Sequence, residues 1–112
     1  MAQQPAERAL DAFSVDLNHR DGVVELGLNG ELDLVSAPAL QAALERVEPG
    51  QHVILDFGGV RFMDSTGLNL IVQQWNRMEQ SGGSLRLRRV AFPVRHVVEI
   101  TGLIQLLQPD DG

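Results

Sequence analysis

The residues best placed to do chemistry stand together in the string Phe62-Met63-Asp64-Ser65-Thr66-Gly67-Leu68, where a run of apolar residues gives way to a helical pattern. A serine at such a junction suits the N-cap of a helix, where its oxygen accepts from a free backbone amide. Gly67 falls in the first turn and weakens the helix by about 1 kcal/mol against alanine, so its presence points to a close backbone approach or a tight turn. Unpaired amides and the helix dipole make the same place hospitable to an anion. A phosphate on Ser65 would be accepted there despite Asp64, changing the surface and leaving the fold alone. Capping and modification of Ser65 both fit this spacing.

Other arrangements carry less. Asp56-Phe57-Gly58 copies a kinase metal-binding tripeptide, but the chain has no lysine, no glycine-rich loop and only 112 residues. Ser65 at a strand-to-helix turn imitates a hydrolase nucleophile elbow, yet the glycine two residues before it is missing. His19, His52 and His96 lack metal-ligand spacing. Arg86 and Arg88 alternate onto one strand face, which with Arg89 reads as a solvated or helix-covered face. Trp75 lies on an apolar helical stripe and suits core packing. No cofactor is expected.

Composition narrows the classes further. Nine arginines and no lysine face fifteen acids, for a net charge of −6 and no cysteine. Lysine-dependent nucleotide loops, Schiff-base chemistry, disulfide scaffolds and cysteine nucleophiles are therefore excluded. An acidic chain is a poor general binder of nucleic acid, whose phosphates demand cations. No apolar run approaches the roughly 20 residues of a membrane span. A soluble cytoplasmic domain is expected, without direct nucleic-acid or membrane contact. The first sixty residues hold three arginines and ten acids, the remainder six and five, so an acidic face is available to a basic partner.

The elements that position Ser65 follow from periodicity. Residues 1–11 read as a frayed lead-in, 12–108 as one domain and 109–112 as a tail. Phe13–Leu17 and Val23–Leu28 alternate as strands joined by the turn Asp21-Gly22. Asn29-Gly30 then breaks the second strand, and Glu31–Leu34 is an extended link. Ser36 can cap a helix carrying Leu40, Ala43, Leu44 and Val47 on one face. Val53–Phe57 has the apolar character of a strand buried on both faces, followed by a break at Gly58-Gly59. Leu68, Ile71, Val72, Trp75 and Met78 make one face of a second helix, with Gln73, Gln74, Arg77 and Gln80 on the other. Ser84–Arg88 alternates as a strand, a third helix runs from near Pro93 to Ile100, and Leu103–Leu107 pack a last short element. The order β-β-α-β-α-β-α predicts an α/β domain, a mixed sheet of four to five strands with packed helices and right-handed parallel crossovers.

In that frame three strings resemble the STAS domain of anti-sigma factor antagonists. They are Gly30-Glu31-Leu32-Asp33 before a helix, Val53–Phe57 ahead of Val60–Leu68, and Val94–Leu103, and together they span about Phe13 to Leu107. The resemblance implies a small α/β domain that binds an anti-sigma factor and so frees a sigma factor. It implies phosphorylation of Ser65 by that partner, a serine kinase, and reversal by a serine phosphatase. It places Glu31, Asp33, Asp64, Ser65, Thr66, Gly67 and Leu68 on the partner-facing surface, and implies a binding protein in place of an enzyme. Gly58 departs from the serine or threonine common there, and Ile104 from a frequent acidic residue, which bears on partner identity. Alternatives with the same fold are an unmodified scaffold or transporter-associated module; a small Ser65-dependent nucleotide-binding or hydrolytic protein is another class.

Overall fold

A computed structural model describes residues 13–107. The expected lead-in of 1–11 and tail of 109–112 lie outside the described residues. Strands β1 (Ser14–Arg20) and β2 (Val23–Leu32) are followed by helix α1 (Ala37–Glu45), β3 (His52–Met63) and α2 (Ser65–Gln80), then β4 (Ser84–Arg88), α3 (Val94–Ile100) and a 3₁₀ turn (Ile104–Leu106). This is the expected order. The sheet runs β1-β2-β3-β4, antiparallel between β1 and β2 and parallel thereafter. Asp21 and Gly22 both take positive φ and close the first hairpin, since a two-residue turn of that hand matches strand twist. A bridge from Leu87 to Leu107 is the only trace of a fifth strand among the described residues.

Alternation along the strands decides which sheet face is dry. Val24, Leu26 and Leu28 of β2, Val53, Leu55 and Phe57 of β3, and Leu85 and Leu87 of β4 are buried. They form one core with Leu40 and Leu44 of α1, Ile71 and Met78 of α2, and Val94 and Val98 of α3. The opposite face is polar. Arg88 bridges Glu25 and Asp56 at 3.3 and 3.1 Å, and Arg89 reaches Asp56 at 2.9 Å. The arginine face is thus solvated and held by ion pairs, whereas β3 is covered on one side only, contrary to the sequence expectation. Ile54 and Asp56 are half-buried because no helix lies over them.

Two further expectations need correction. Asn29-Gly30 and Gly58-Gly59 do not break their strands. The ladder between β2 and β3 shifts register between Gly27 and Asn29 and again between Gly30 and Glu31, then continues to Leu32 beside Met63. Glycines inside strands permit such irregularities, and here both strands continue to Leu32 and Met63 at the starts of the helices. Gln74 is also buried, although it was expected on the polar helix face. Its amide oxygen accepts from Arg77 at 2.7 and 2.9 Å, and Arg77 donates onward to the Leu44 carbonyl at 3.1 Å, tying α2 to the end of α1. Trp75 packs against the core with a partly exposed ring, and its indole N–H donates to Glu79 at 3.2 Å.

Candidate functional site

Because β2 and β3 run parallel and end together, their exits Asp33 and Asp64 emerge side by side, each at the start of a helix. The Asp64 N–H donates to the Leu32 carbonyl at 3.2 Å and pins the two exits. Gly67 is what lets α2 seat there. A Cβ on Gly67 would stand 2.7 Å from Leu32 Cγ and 2.9 Å from the Leu32 carbonyl oxygen. Both belong to a fully buried residue that cannot yield. The close approach anticipated from the sequence is therefore to the end of β2.

Ser65 is not the N-cap. Asp64 has extended backbone and its carboxylate accepts from the Gly67 N–H at 3.1 Å, while Ser65 is the first helical residue. A carboxylate at this position suits the positive end of the dipole, and it occupies the first-turn amide of Gly67 that a serine cap could have used. The consequence is chemical. Ser65 is exposed, and its hydroxyl makes no hydrogen bond among the described residues.

Around α1 the serine is used differently. The Ser36 hydroxyl donates to the Glu31 carbonyl at 2.6 Å and accepts from the Asp33 N–H at 2.9 Å, and Ser36 is buried. It stands at the N-cap without capping an amide of α1. Asp33 Oδ1 accepts from the N–H groups of Val35 and Ser36 at 3.1 and 3.2 Å. The loop 33–36 is thereby folded tightly, and it thrusts Leu34 and Val35 outward, 72% and 87% exposed. Between this loop and α2 lies a groove of about 330 Å³, lined by Leu34, Ala37, Pro38, Thr66, Asn69 and Leu70.

Of the residues anticipated for partner contact, Glu31 and Ser65 are exposed, and Asp33, Asp64 and Thr66 are half-exposed, with Thr66 lining the groove. Gly67 and Leu68 are buried and shape that surface from beneath. Sequence reasoning passed over Leu34, Val35, Pro38 and Asn69; the apolar pair Leu34-Val35 between two turn-forming polar residues was the available signal. No group of three or more metal-ligating side chains exists among the described residues. His52 pairs with Ser84 at 2.8 Å and the ring of His96 packs against Phe92, so neither is a base for Ser65.

The STAS domain family matches residues 14–110. The chain belongs to that family. It is 30% identical over 96 residues to the anti-sigma-B factor antagonist of Bacillus subtilis, covering 85% of this chain and 88% of that one. Among solved structures it resembles an anti-sigma factor antagonist from Mycobacterium paratuberculosis, at 26% identity and TM-score 0.73, over 87% of this chain and 84% of that one. It also resembles the anti-sigma factor antagonist SpoIIAA in its unphosphorylated form, at 25% identity and TM-score 0.71, over 85% and 86%. The phosphorylated form of Bacillus SpoIIAA shares the fold at TM-score 0.67 and 24% identity, over 85% and 89%. No helix among the described residues is long and apolar enough to cross a membrane.

Proposed function

We propose that this STAS domain is an anti-sigma factor antagonist whose binding is switched off by phosphorylation of Ser65. The partner is an anti-sigma factor with serine kinase activity, a serine phosphatase reverses the mark, and the exchange takes place in the cytoplasm without direct contact to nucleic acid. The observation that carries the reading is the exposed, unengaged hydroxyl of Ser65 on the first turn of α2, next to Thr66, which lines the groove together with Leu34. A kinase needs a reachable hydroxyl, and a binding partner needs apolar surface ringed by polar groups. The relatives' names supply the partner class, and SpoIIAA exists in both modification states.

The hydrolytic reading is disfavoured, because no base stands within hydrogen-bond reach of Ser65 among the described residues. In the switch, phosphate brings about −1.5 to −2 charges, and the first-turn amides of α2 accept it locally. One like-charge contact at ~6 Å across an effective dielectric of ~20 costs roughly 3 kcal/mol, somewhat over a hundredfold in affinity. Exclusion from the interface, without rearrangement of the domain, is enough to release the partner.

The test is intact mass and binding affinity measured together, using an anti-sigma factor with serine kinase activity from the same organism and ATP. One added phosphate, lost in Ser65→Ala, and tight binding by Ser65→Ala are expected. Ser65→Asp should bind more weakly than the parent, though less weakly than the phosphoprotein. Phosphate on Thr66, or equal affinity before and after modification, would overturn the switch. Tight binding with no phosphate at all would leave the scaffold reading in its place.

A further inference from the structure

The outward sides of the three helices differ. α1 and α2 turn Gln41, Glu45, Asn76 and Gln80 to solvent, the polar face expected of a surface helix. α3 is apolar on both sides. Val94 and Val98 are buried in the core, while Phe92 and Ile100 are 78% and 67% exposed, with Ile104 just beyond at 59%. The helical winding reaches back to Phe92, because the Arg95 N–H donates to the Ala91 carbonyl at 2.8 Å. Phe92, His96 and Ile100 therefore follow one another at four-residue spacing along one outward stripe. The rings of Phe92 and His96 pack together, 5.9 Å between centroids. Exposed apolar residues scattered singly need no explanation, whereas a contiguous row of them marks a contact surface. None of these residues lines the groove beside Thr66.

We propose that this stripe is the contact between two copies of the chain, their α3 helices packed antiparallel about a two-fold axis at His96. Such an interface needs a patch that complements itself. Charge supplies the complement. Arg95 and Glu99 flank the stripe on one side, paired at 3.2 Å within α3. A two-fold axis that lies in the contact plane and crosses α3 at His96 sets Phe92 on the partner's Ile100. It also keeps equivalent flanks side by side with their directions reversed. Arg95 then stands about 3 Å along the helix from the partner's Glu99, and Glu99 likewise from the partner's Arg95, within reach of both side chains. A parallel pair would instead set this charged flank against the side carrying Pro93 and Val97, which offers no charge. The surroundings favour a second copy too. Arg95 and Glu99 are the only acidic or basic residues between 90 and 107, and their formal charges cancel in a chain of net charge −6. Two copies can therefore meet here without the like-charge repulsion that the rest of the chain would impose. One short helix and its flanks bury less than the roughly 1,200 Å² of total surface found in stable complexes, so the dimer forms reversibly and at high concentration.

Sedimentation equilibrium of the full chain tests this. The average mass should climb from monomer toward dimer as the concentration approaches about 1 mM, the weakest association worth the name. Amide shifts that depend on concentration should be confined to residues 92–104. Ile100→Asp should hold the protein monomeric, with the Trp75 emission and urea midpoint of the parent showing that the domain is intact. The flank is tested by two single variants. Arg95→Glu makes it wholly acidic and Glu99→Arg wholly basic, so each alone should self-associate at least tenfold more weakly than the parent. Mixed in equal amounts, the two should form a mixed dimer, because an acidic flank then meets a basic one. A parent that stays monomeric up to that concentration would overturn the proposal. Association that survives Ile100→Asp would assign it to another surface and equally refute the stripe. Charge variants that fail to associate when mixed, although both are folded, would refute the antiparallel pairing.

Discussion

Two serines follow two aspartates at neighbouring strand-to-helix exits, and the structure treats them in opposite ways. At the end of β2, Asp33 and Ser36 close a loop on itself, and every polar atom of the serine is engaged beneath exposed Leu34 and Val35. At the end of β3, Asp64 does the capping alone, and Ser65 is left with a free hydroxyl one residue inside the helix. The difference is a matter of spacing. Two residues between Asp33 and Ser36 let the hydroxyl turn back to the strand, whereas adjacency to Asp64 points that of Ser65 to solvent. One serine is structural and the other is available to a partner.

The contrast depends on both helices seating against the same strand end, and Gly67 is where that is most easily broken. Gly67→Val should destabilise the domain by about 3 kcal/mol or more, since its side chain would overlap the buried Leu32. Urea unfolding followed by Trp75 fluorescence reads this directly, with Gly67→Ala as a milder variant if valine prevents folding. A valine variant as stable as the parent would mean that α2 can shift away from β2 at no cost, and the paired exits would lose their significance.

The serines themselves give the next largest difference. Ser36→Ala removes a buried hydroxyl and orphans the Asp33 N–H, an expected loss of about 1–3 kcal/mol. Ser65→Ala should stay within about 0.5 kcal/mol of the parent, as surface substitutions without partners do. Equal losses in urea titrations of the two variants would erase the distinction between structural and available serine.

Much of this was legible in residue spacing, and the exceptions share a cause. Alternation and helical stripes located every element and the junction at Ser65, because they report which side of an element is dry. The glycine pairs Asn29-Gly30 and Gly58-Gly59 read as breaks, since a strand glycine looks alike whether the strand ends or merely shifts register beside a partner. The cap fell one residue away, at Asp64, because both residue types accept from first-turn amides and only the backbone geometry of the exit chooses between them. The one-sided burial of β3 and the groove at Leu34 depend on what lies across the sheet or on another element, information that no local window contains. Gln74 belongs to the same class, buried by an arginine one turn along and a carbonyl on α1.

The cap at Asp64 offers a smaller, graded test. Asp64→Ala should cost about 1 kcal/mol, typical of a lost N-cap. Asp64→Asn should recover most of it, because an amide oxygen still accepts from Gly67. Were Asp64→Ala neutral and Ser65→Ala costly, the serine would be the working cap after all.

A third aspartate sharpens the comparison with the least effect. Asp56 Oδ1 accepts from the Gly58 N–H at 2.9 Å, much as Asp33 and Asp64 serve nearby amides, but it also faces two arginines on the open side of the sheet. Burial pushes its carboxyl toward protonation; the hydrogen bonds from Arg89, the Gly58 amide and Arg88 outweigh that and hold it below the usual carboxylate value. A carboxyl held low in the folded state stabilises the fold above the ordinary carboxylate range. That contribution is lost as pH falls through the lowered value. Asp56→Asn keeps an oxygen for the Gly58 amide and removes only the charge. The variant should therefore be less stable than the parent at neutral pH, and the gap should close in acid as the parent's own Asp56 protonates. Urea midpoints of the two proteins across the acid range measure this gap. A gap that persists undiminished well below the carboxylate range would show that Asp56 acts through hydrogen-bond geometry alone, as the capping carboxylates do, and that its arginine partners add nothing to the fold.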